Sequence, residues 1–147
     1  NVIIDRETGF YSASYFNMKL AEQIYSAQKI STDFFLILID IFNGMNITHE
    51  QKNTVLKISY PVIKRSSGEA HELFLYREKI AMIMSGAGHK EAGDMELAVA
   101  KDIAKFRIKL SHDTIIKLQP VVVIKNSKDA ENIKEILGET MSVFGEK

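Results

Sequence analysis

The eight residues Phe34-Phe35-Leu36-Ile37-Leu38-Ile39-Asp40-Ile41 constrain this chain more than any other stretch. An unbroken run of large apolar side chains has no polar face to give to solvent. It reads as a strand covered on both sides. Asp40 closes the run at its carboxyl end, where open α/β sheets place their ligand-binding edge. The same acid would also serve simply to start the turn that Asn43-Gly44 announces, because Asp side chains cap turns. Asp40 is the first residue to suspect of chemistry at this edge.

The elements around this strand follow from periodicity. Apolar residues at Tyr15, Phe16, Leu20, Ile24 and Tyr25 predict a helix from Tyr15 to about Lys29, with Ser12 or Ser14 as its cap. Thr48 caps a second helix, expected to stop or kink near Tyr60 because Pro61 follows. Leu73 to Tyr76 and Ile80 to Met84 alternate as two short strands around a turn at Arg77-Glu78-Lys79. That turn lacks the Asn-Gly or Gly-Gly of tight hairpins. A helix is expected from about Glu91 to Leu110, then a strand from Thr114 to Ile124 that Pro120 interrupts. A last helix is expected from Lys128 to about Phe144, with Ile133, Ile136, Leu137, Met141 and Val143 in the core. Without the first helix the order is strand, helix, two hairpin strands, helix, strand. That is a ferredoxin-like α+β arrangement, expected on one mixed sheet flanked by helices.

Bulk properties narrow the function classes. The 147 residues suit a single domain, and 46% hydrophobic with 26% charged residues is an ordinary globular mixture. Nineteen basic residues balance nineteen acidic ones, so there is no general attraction to nucleic acid. There is no cysteine, which excludes disulfides and Cys-ligated metal centres and fits a reducing, cytoplasmic location. No apolar run approaches the roughly 20 residues that span a bilayer. The chain begins at Asn1, so it is expected to be a fragment of a longer protein, cytoplasmic or the cytoplasmic part of a membrane-associated one.

Asp5-Arg6-Glu7-Thr8-Gly9-Phe10-Tyr11-Ser12-Ala13-Ser14-Tyr15-Phe16 resembles the opening of diguanylate cyclase domains, the GGDEF family. Leu36 to Ile41 resembles that family's first core strand with its metal-binding aspartate at Asp40, and the element order also matches. The resemblance implies a domain that holds GTP with two divalent metals and pairs with a second copy to make cyclic di-GMP. Metal ions suit that chemistry because charge on the transferring phosphoryl must be clamped.

The departures from the pattern are as informative. The family's aspartate-isoleucine-aspartate becomes Asp40-Ile41-Phe42, the guanine-reading asparagine falls near Thr48, and an acid of the next helix falls near Lys57. The signature hairpin falls on Tyr76-Arg77-Glu78-Lys79-Ile80. Bulky residues replace its glycines, and Lys79 stands where a metal-binding glutamate would be, or Glu78 with a slip of one residue. Arg65 is followed by no acid at the spacing of the family's inhibitory site. Gly88-His89-Lys90-Glu91-Ala92-Gly93-Asp94 resembles a segment that precedes the signature in the family. Here it follows the proposed hairpin and is taken as coincidence.

The resemblance therefore implies a degenerate, catalytically inactive domain with no metal or other cofactor. Its role would be regulation, dimerisation or recognition of a protein partner in bacterial signalling. Binding of cyclic di-GMP or GTP, with Arg77 and Lys79 as contacts, is the alternative. A residual metal-dependent nucleotidyl enzyme using Asp40 and Glu78 is a third reading. Nucleic-acid binding and membrane insertion are not expected. His49, His71, His89 and His112 show no metal-binding spacing. Ser66, Ser67 and His71 do not by themselves make a hydrolytic triad. Tyr11, Tyr15 and Phe16 are expected in packing, and Lys101, Lys105, Arg107 and Lys109 on the solvated face of a helix.

Overall fold

The computed structural model describes residues 3–68, 71–86, 88–129 and 133–143. Its framework is β1 (Phe34–Asp40), α2 (His49–Ser67), β2 (Phe74–Tyr76), β3 (Lys79–Ser85), α3 (His89–Ala104) and β6 (Val121–Asn126). To this are added α1 (Ala13–Ile30), a hairpin of β4 (Arg107–Ser111) and β5 (Thr114–Lys117), and α4 (Ile133–Val143). Four strands form one sheet in the order β2-β3-β1-β6. The three pairings are antiparallel, and among the described residues parallel character enters only through an isolated bridge between Tyr11 and Phe74. Among the described residues no helix is long and apolar enough to cross a membrane.

β1 is central because both its faces are apolar. Phe35, Ile37 and Ile39 enter one core with Val55, Leu56 and Ile63 of α2 and Val99 and Ile103 of α3. Phe34, Leu36 and Leu38 enter the other with Phe16 and Leu20 of α1 and Leu137 and Met141 of α4. Alternation along the strand sends successive side chains to opposite layers. Each fully buried Leu, Ile or Phe contributes about 1.5–3 kcal/mol of transfer free energy.

Several boundaries differ from expectation. Ser12 is the cap of α1, accepting a hydrogen bond from the Tyr15 amide at 3.2 Å. α2 runs unbroken through Pro61 to Ser67. Ile63 and Ser67, both beyond the proline, are buried, so tertiary packing holds the last turns despite the missing amide. α3 ends at Ala104, and the segment expected as its last turn is β4. In β4 the alternation buries Ile108 and exposes Arg107 and Lys109. The four basic residues expected on one helix therefore divide between α3 (Lys101), its cap (Lys105) and β4. The expected 114–124 strand is two strands in different sheets, separated at Leu118-Gln119-Pro120. A 3-10 turn, Ser127–Asp129, stands where the last helix was expected to start, and the described helix is Ile133–Val143. Leu137 and Met141 are buried as expected. The side chains of Ile133, Ile136 and Val143, and all of Phe144, lie outside the described residues.

Candidate functional site at the hairpin end of the sheet

The carboxyl end of β1, the first turn of α2 and the β2–β3 turn converge at one end of the sheet. Asp40 terminates β1 with its carboxylate folded back on the following turn. Its Oδ1 accepts from the amides of Phe42 at 2.9 Å and Asn43 at 3.2 Å. Asn43 and Gly44 then take positive φ, 47° and 75°, and turn the chain toward α2. The turn-forming role of Asp40 is thus realised.

α2 begins with a capping box. The Thr48 hydroxyl accepts from the Gln51 amide at 3.1 Å, and the Gln51 side chain accepts from the Thr48 amide at 2.9 Å. This fixes the first turn, from which His49, Lys52 and Asn53 reach the hairpin and the N-terminal segment.

In the hairpin Tyr76 pairs with Lys79, so the turn consists of Arg77 and Glu78 alone. Both have positive φ, 49° and 64°, the geometry of a tight hairpin normally made by Asn-Gly or Gly-Gly. The two left-handed positions are therefore filled by large charged residues. Glu78 is held from α2. Lys52 Nζ lies 3.2 Å from Glu78 Oε1, and His49 Nδ1 lies 3.2 Å from Glu78 Oε2. Burial pushes the Glu78 carboxyl upward, but hydrogen bonds and charge from His49 and Lys52 outweigh it and hold it below the usual value. Arg77 lies over the Tyr76 ring, 5.4 Å from its centroid.

Lys79 goes elsewhere. The β1–β3 ladder ends with Ile39 opposite Ile80, so the next residues, Asp40 and Lys79, are the next opposed positions in the register. Alternation directs both toward the layer of Leu36, Leu38 and Ala81, with Tyr76 flanking Lys79 on the far side. Lys79 is only 7% exposed. Opposed residues of a ladder stand about 5 Å apart at Cβ, so register sets the base of the buried Lys79 side chain beside that of Asp40.

A cleft of about 780 Å³ opens on the other side of the hairpin. It is walled by Asp5, Arg6 and Glu7, by His49 and Asn53 of α2, and by Leu75, Arg77 and Glu78. Asp5 to Gly9 form this wall as a compact turn, with the Gly9 amide on the Asp5 carbonyl at 2.8 Å and Gly9 at φ 90°. Asn53 bridges Glu7 to His49. The structure thus brings Arg77 and Glu78 to the cleft and leaves Asp40 and Lys79 on the sheet behind it. Sequence reasoning missed His49, Lys52 and Asn53. Their i, i+3, i+4 spacing after the Thr48 cap is the signal that places them on one face.

The remaining candidates fall apart. Gly88 to Asp94 is the start of α3, after the hairpin, and His89 packs edge-on against Phe35 at 5.0 Å. His71 Nδ1 lies 2.6 Å from the Ser67 carbonyl oxygen, while Ser66 donates to Asp102, so the three do not form a relay. Tyr11, Tyr15 and Phe16 pack around Phe74, as expected.

Over 99% of its length the chain superposes on the FimX GGDEF domain of Pseudomonas aeruginosa, with a TM-score of 0.84, 13% identity and 93% of that chain covered. The fold is that of a GGDEF domain. The GGDEF domain of DgcB from Caulobacter crescentus, in complex with c-di-GMP, matches with a TM-score of 0.82 and 16% identity, covering 99% of this chain and 89% of that one. The diguanylate cyclase SiaD of Pseudomonas aeruginosa, in complex with its activator SiaC, matches at 0.75 and 16% identity, covering 95% of this chain and 54% of that one. No protein-family model matches the sequence, and no curated protein matches it. The GGDEF fold is therefore recognised here through backbone geometry at low identity.

The residues present do not fit the pair of divalent cations that diguanylate cyclase chemistry implies. Asp40 Oδ1 is taken up by two backbone amides, Phe42 supplies no second carboxylate, Glu78 is engaged by Lys52 and His49, and Lys79 stands opposite Asp40 in the register. Among the described residues no three potential ligand side chains cluster for a metal ion.

Proposed function

We propose that this chain is a degenerate GGDEF-like domain that forms no cyclic dinucleotide and acts as a regulatory, partner-binding module in bacterial signalling, in the cytoplasm. The observation that carries this reading is the state of the hairpin. Its turn is bound to α2 through Glu78, with Lys52 and His49 as partners, and its next residue is a buried lysine opposed to Asp40 in the β1–β3 register. Two cations clamped on a triphosphate need converging carboxylates. Here the acids are turned to backbone and ammonium instead. A fold can persist after its chemistry is lost. SiaD in complex with its activator offers a precedent for a protein partner of a cyclase.

Incubation of the purified domain with GTP and magnesium or manganese tests this directly. No cyclic di-GMP is expected. Turnover that Asp40→Ala abolishes would sink the reading.

A second reading, binding of cyclic di-GMP or a guanine nucleotide, is favoured by the cleft, which offers Arg6, Arg77, His49 and Asn53 around an apolar floor of Leu56 and Leu75. Calorimetric titration with GTP, ATP and cyclic di-GMP separates the two. A bound nucleotide also raises the unfolding temperature with its concentration.

A further inference from the structure

The anion that meets α2 at the cleft is supplied by the chain itself. Glu78 presents both carboxylate oxygens, Oε1 to Lys52 Nζ and Oε2 to His49 Nδ1, each at 3.2 Å. Two basic side chains thus grip one anionic group from the first turns of α2. The His49 side chain is 75% exposed, and His49 and Glu78 both line the cleft, so a dissolved anion can reach this grip.

Two further cations line the same cleft without an acid. Among the described residues neither Arg6 nor Arg77 makes an ion pair, and Arg77 lies over the Tyr76 ring. The acids of the cleft wall are already engaged. Asp5 Oδ1 accepts from the Glu7 amide at 3.0 Å, and Glu7 Oε2 accepts from Asn53.

The grip on Glu78 also restrains the turn. Arg77 and Glu78 sit at positive φ, 49° and 64°. Such a conformation is costly for residues with a side chain and persists where surrounding contacts impose it. β2 has three residues, and Tyr76 opposite Lys79 is the last rung of its ladder. The contact from α2 to Glu78 adds to that rung.

We propose that Glu78 is the internal occupant of a phosphate site made by Lys52 and His49, and that a phosphate group entering the cleft displaces it and releases the hairpin turn. This rests on the reading of the cleft as a nucleotide site and supplies its regulation. A phosphate group brings about two negative charges and three strong acceptor oxygens. A carboxylate brings one charge and two oxygens. The surplus is available to Arg6 and Arg77, which Glu78 leaves without an ion pair. The barrier to exchange is low, because a partly exposed ion pair is worth only about two- to fivefold in an equilibrium. The cations are side chains, so the grip needs no metal ion. Occupancy of the cleft is converted into a change at the hairpin tip, which suits a regulatory domain.

The test titrates the purified chain with inorganic phosphate, pyrophosphate and GTP in separate series at constant ionic strength, read by NMR shifts of the amides and the His49 ring. Glu78→Gln removes the charge and keeps the shape. It is expected to bind phosphate about two- to fivefold more tightly than the wild type. Lys52→Met is expected to lose that binding and Lys52→Arg to retain most of it. In the wild type, saturating phosphate is expected to speed amide exchange at Arg77 and Glu78, which marks local opening of the turn. Phosphate that binds as tightly as GTP identifies the free ion as the ligand, and tighter GTP assigns the phosphate to a nucleotide. Equal or weaker phosphate binding by Glu78→Gln overturns the proposal, as does exchange at the turn that phosphate leaves unchanged or slows. GTP binding that neither Glu78→Gln nor Lys52→Met alters also overturns it, while the nucleotide reading of the cleft stands. Binding of none of the three probes, to the wild type or to Glu78→Gln, overturns both.

Discussion

Lys52 Nζ stands 3.2 Å from Glu78 Oε1 and also lies 5.6 Å above the centre of the Phe42 ring. One ammonium thereby joins α2, the hairpin turn and the loop after β1. The pair is partly exposed, at 24% and 38%, so its expected worth is about 0.5–1 kcal/mol after screening. Lys52→Met and Glu78→Gln should each lower stability by that order. In a double-mutant cycle read by urea unfolding the two effects should not add. Full additivity would show that the contact does not couple the elements.

The same carboxylate gives stability a pH dependence. Burial acts to raise its pKa, but His49 and Lys52 hold it below its unfolded value. A depressed folded pKa contributes stability that is complete above the unfolded value and is lost as pH falls through the folded one. The unfolding midpoint of the wild type should therefore fall more steeply than that of Glu78→Gln between the ordinary glutamate range, near 4.5, and the lower folded value. Identical acid limbs would remove Glu78 from the explanation.

Arg77 occupies a left-handed conformation at φ 49° without the freedom of glycine. Such a residue carries about 1–2 kcal/mol of strain. Arg77→Gly relieves it but adds unfolded-state entropy of about 0.5–1 kcal/mol. It also removes the stacking on Tyr76. The expected net is a change of less than about 1 kcal/mol, whereas Arg77→Val, β-branched at positive φ, should be clearly destabilising. Chemical denaturation of the two variants checks the ordering.

Thr48 organises the site from outside it, because its capping box fixes the turn that carries His49, Lys52 and Asn53. Thr48→Ala should cost about 1 kcal/mol and loosen the hairpin contact as well. Amide exchange at Arg77 and Glu78 should rise in that variant. Unchanged exchange there would mean that the hairpin is held by its own ladder.

How much of this was legible in the sequence depended on whether local pattern or distant packing decided each element. The β1 run, the Thr48 cap, the hairpin strands and the α1 periodicity are local, and the structure follows them. Arg107 to Ser111 misled because Phe106 and Ile108 extend a helical spacing. That segment gains more by pairing with β5 and burying Ile108. At Pro61 packing acts in the opposite sense, since buried residues beyond the proline carry α2 on to Ser67 instead of ending it near Tyr60. At the site, Asp40 and the turn residues were visible as candidates. That Glu78 meets Lys52 and His49, and that Lys79 turns inward, depends on ladder register and on the approach of α2, which no short motif encodes.

Ser59 lies on α2, one turn before Ile63, with its hydroxyl fully buried and no hydrogen-bond partner among the described residues. A hydroxyl removed from water without compensation costs about 1–3 kcal/mol by mutational measures. Ser59→Ala deletes that cost, leaves a void of a single oxygen and raises helix propensity. It should therefore stabilise the chain by about 1 kcal/mol, seen as a higher denaturation midpoint with an unchanged slope. A loss of stability would show instead that the hydroxyl is satisfied, by water held between α2 and α3 or by the Val55 carbonyl one turn earlier, and that this part of the core is wetter than its packing indicates.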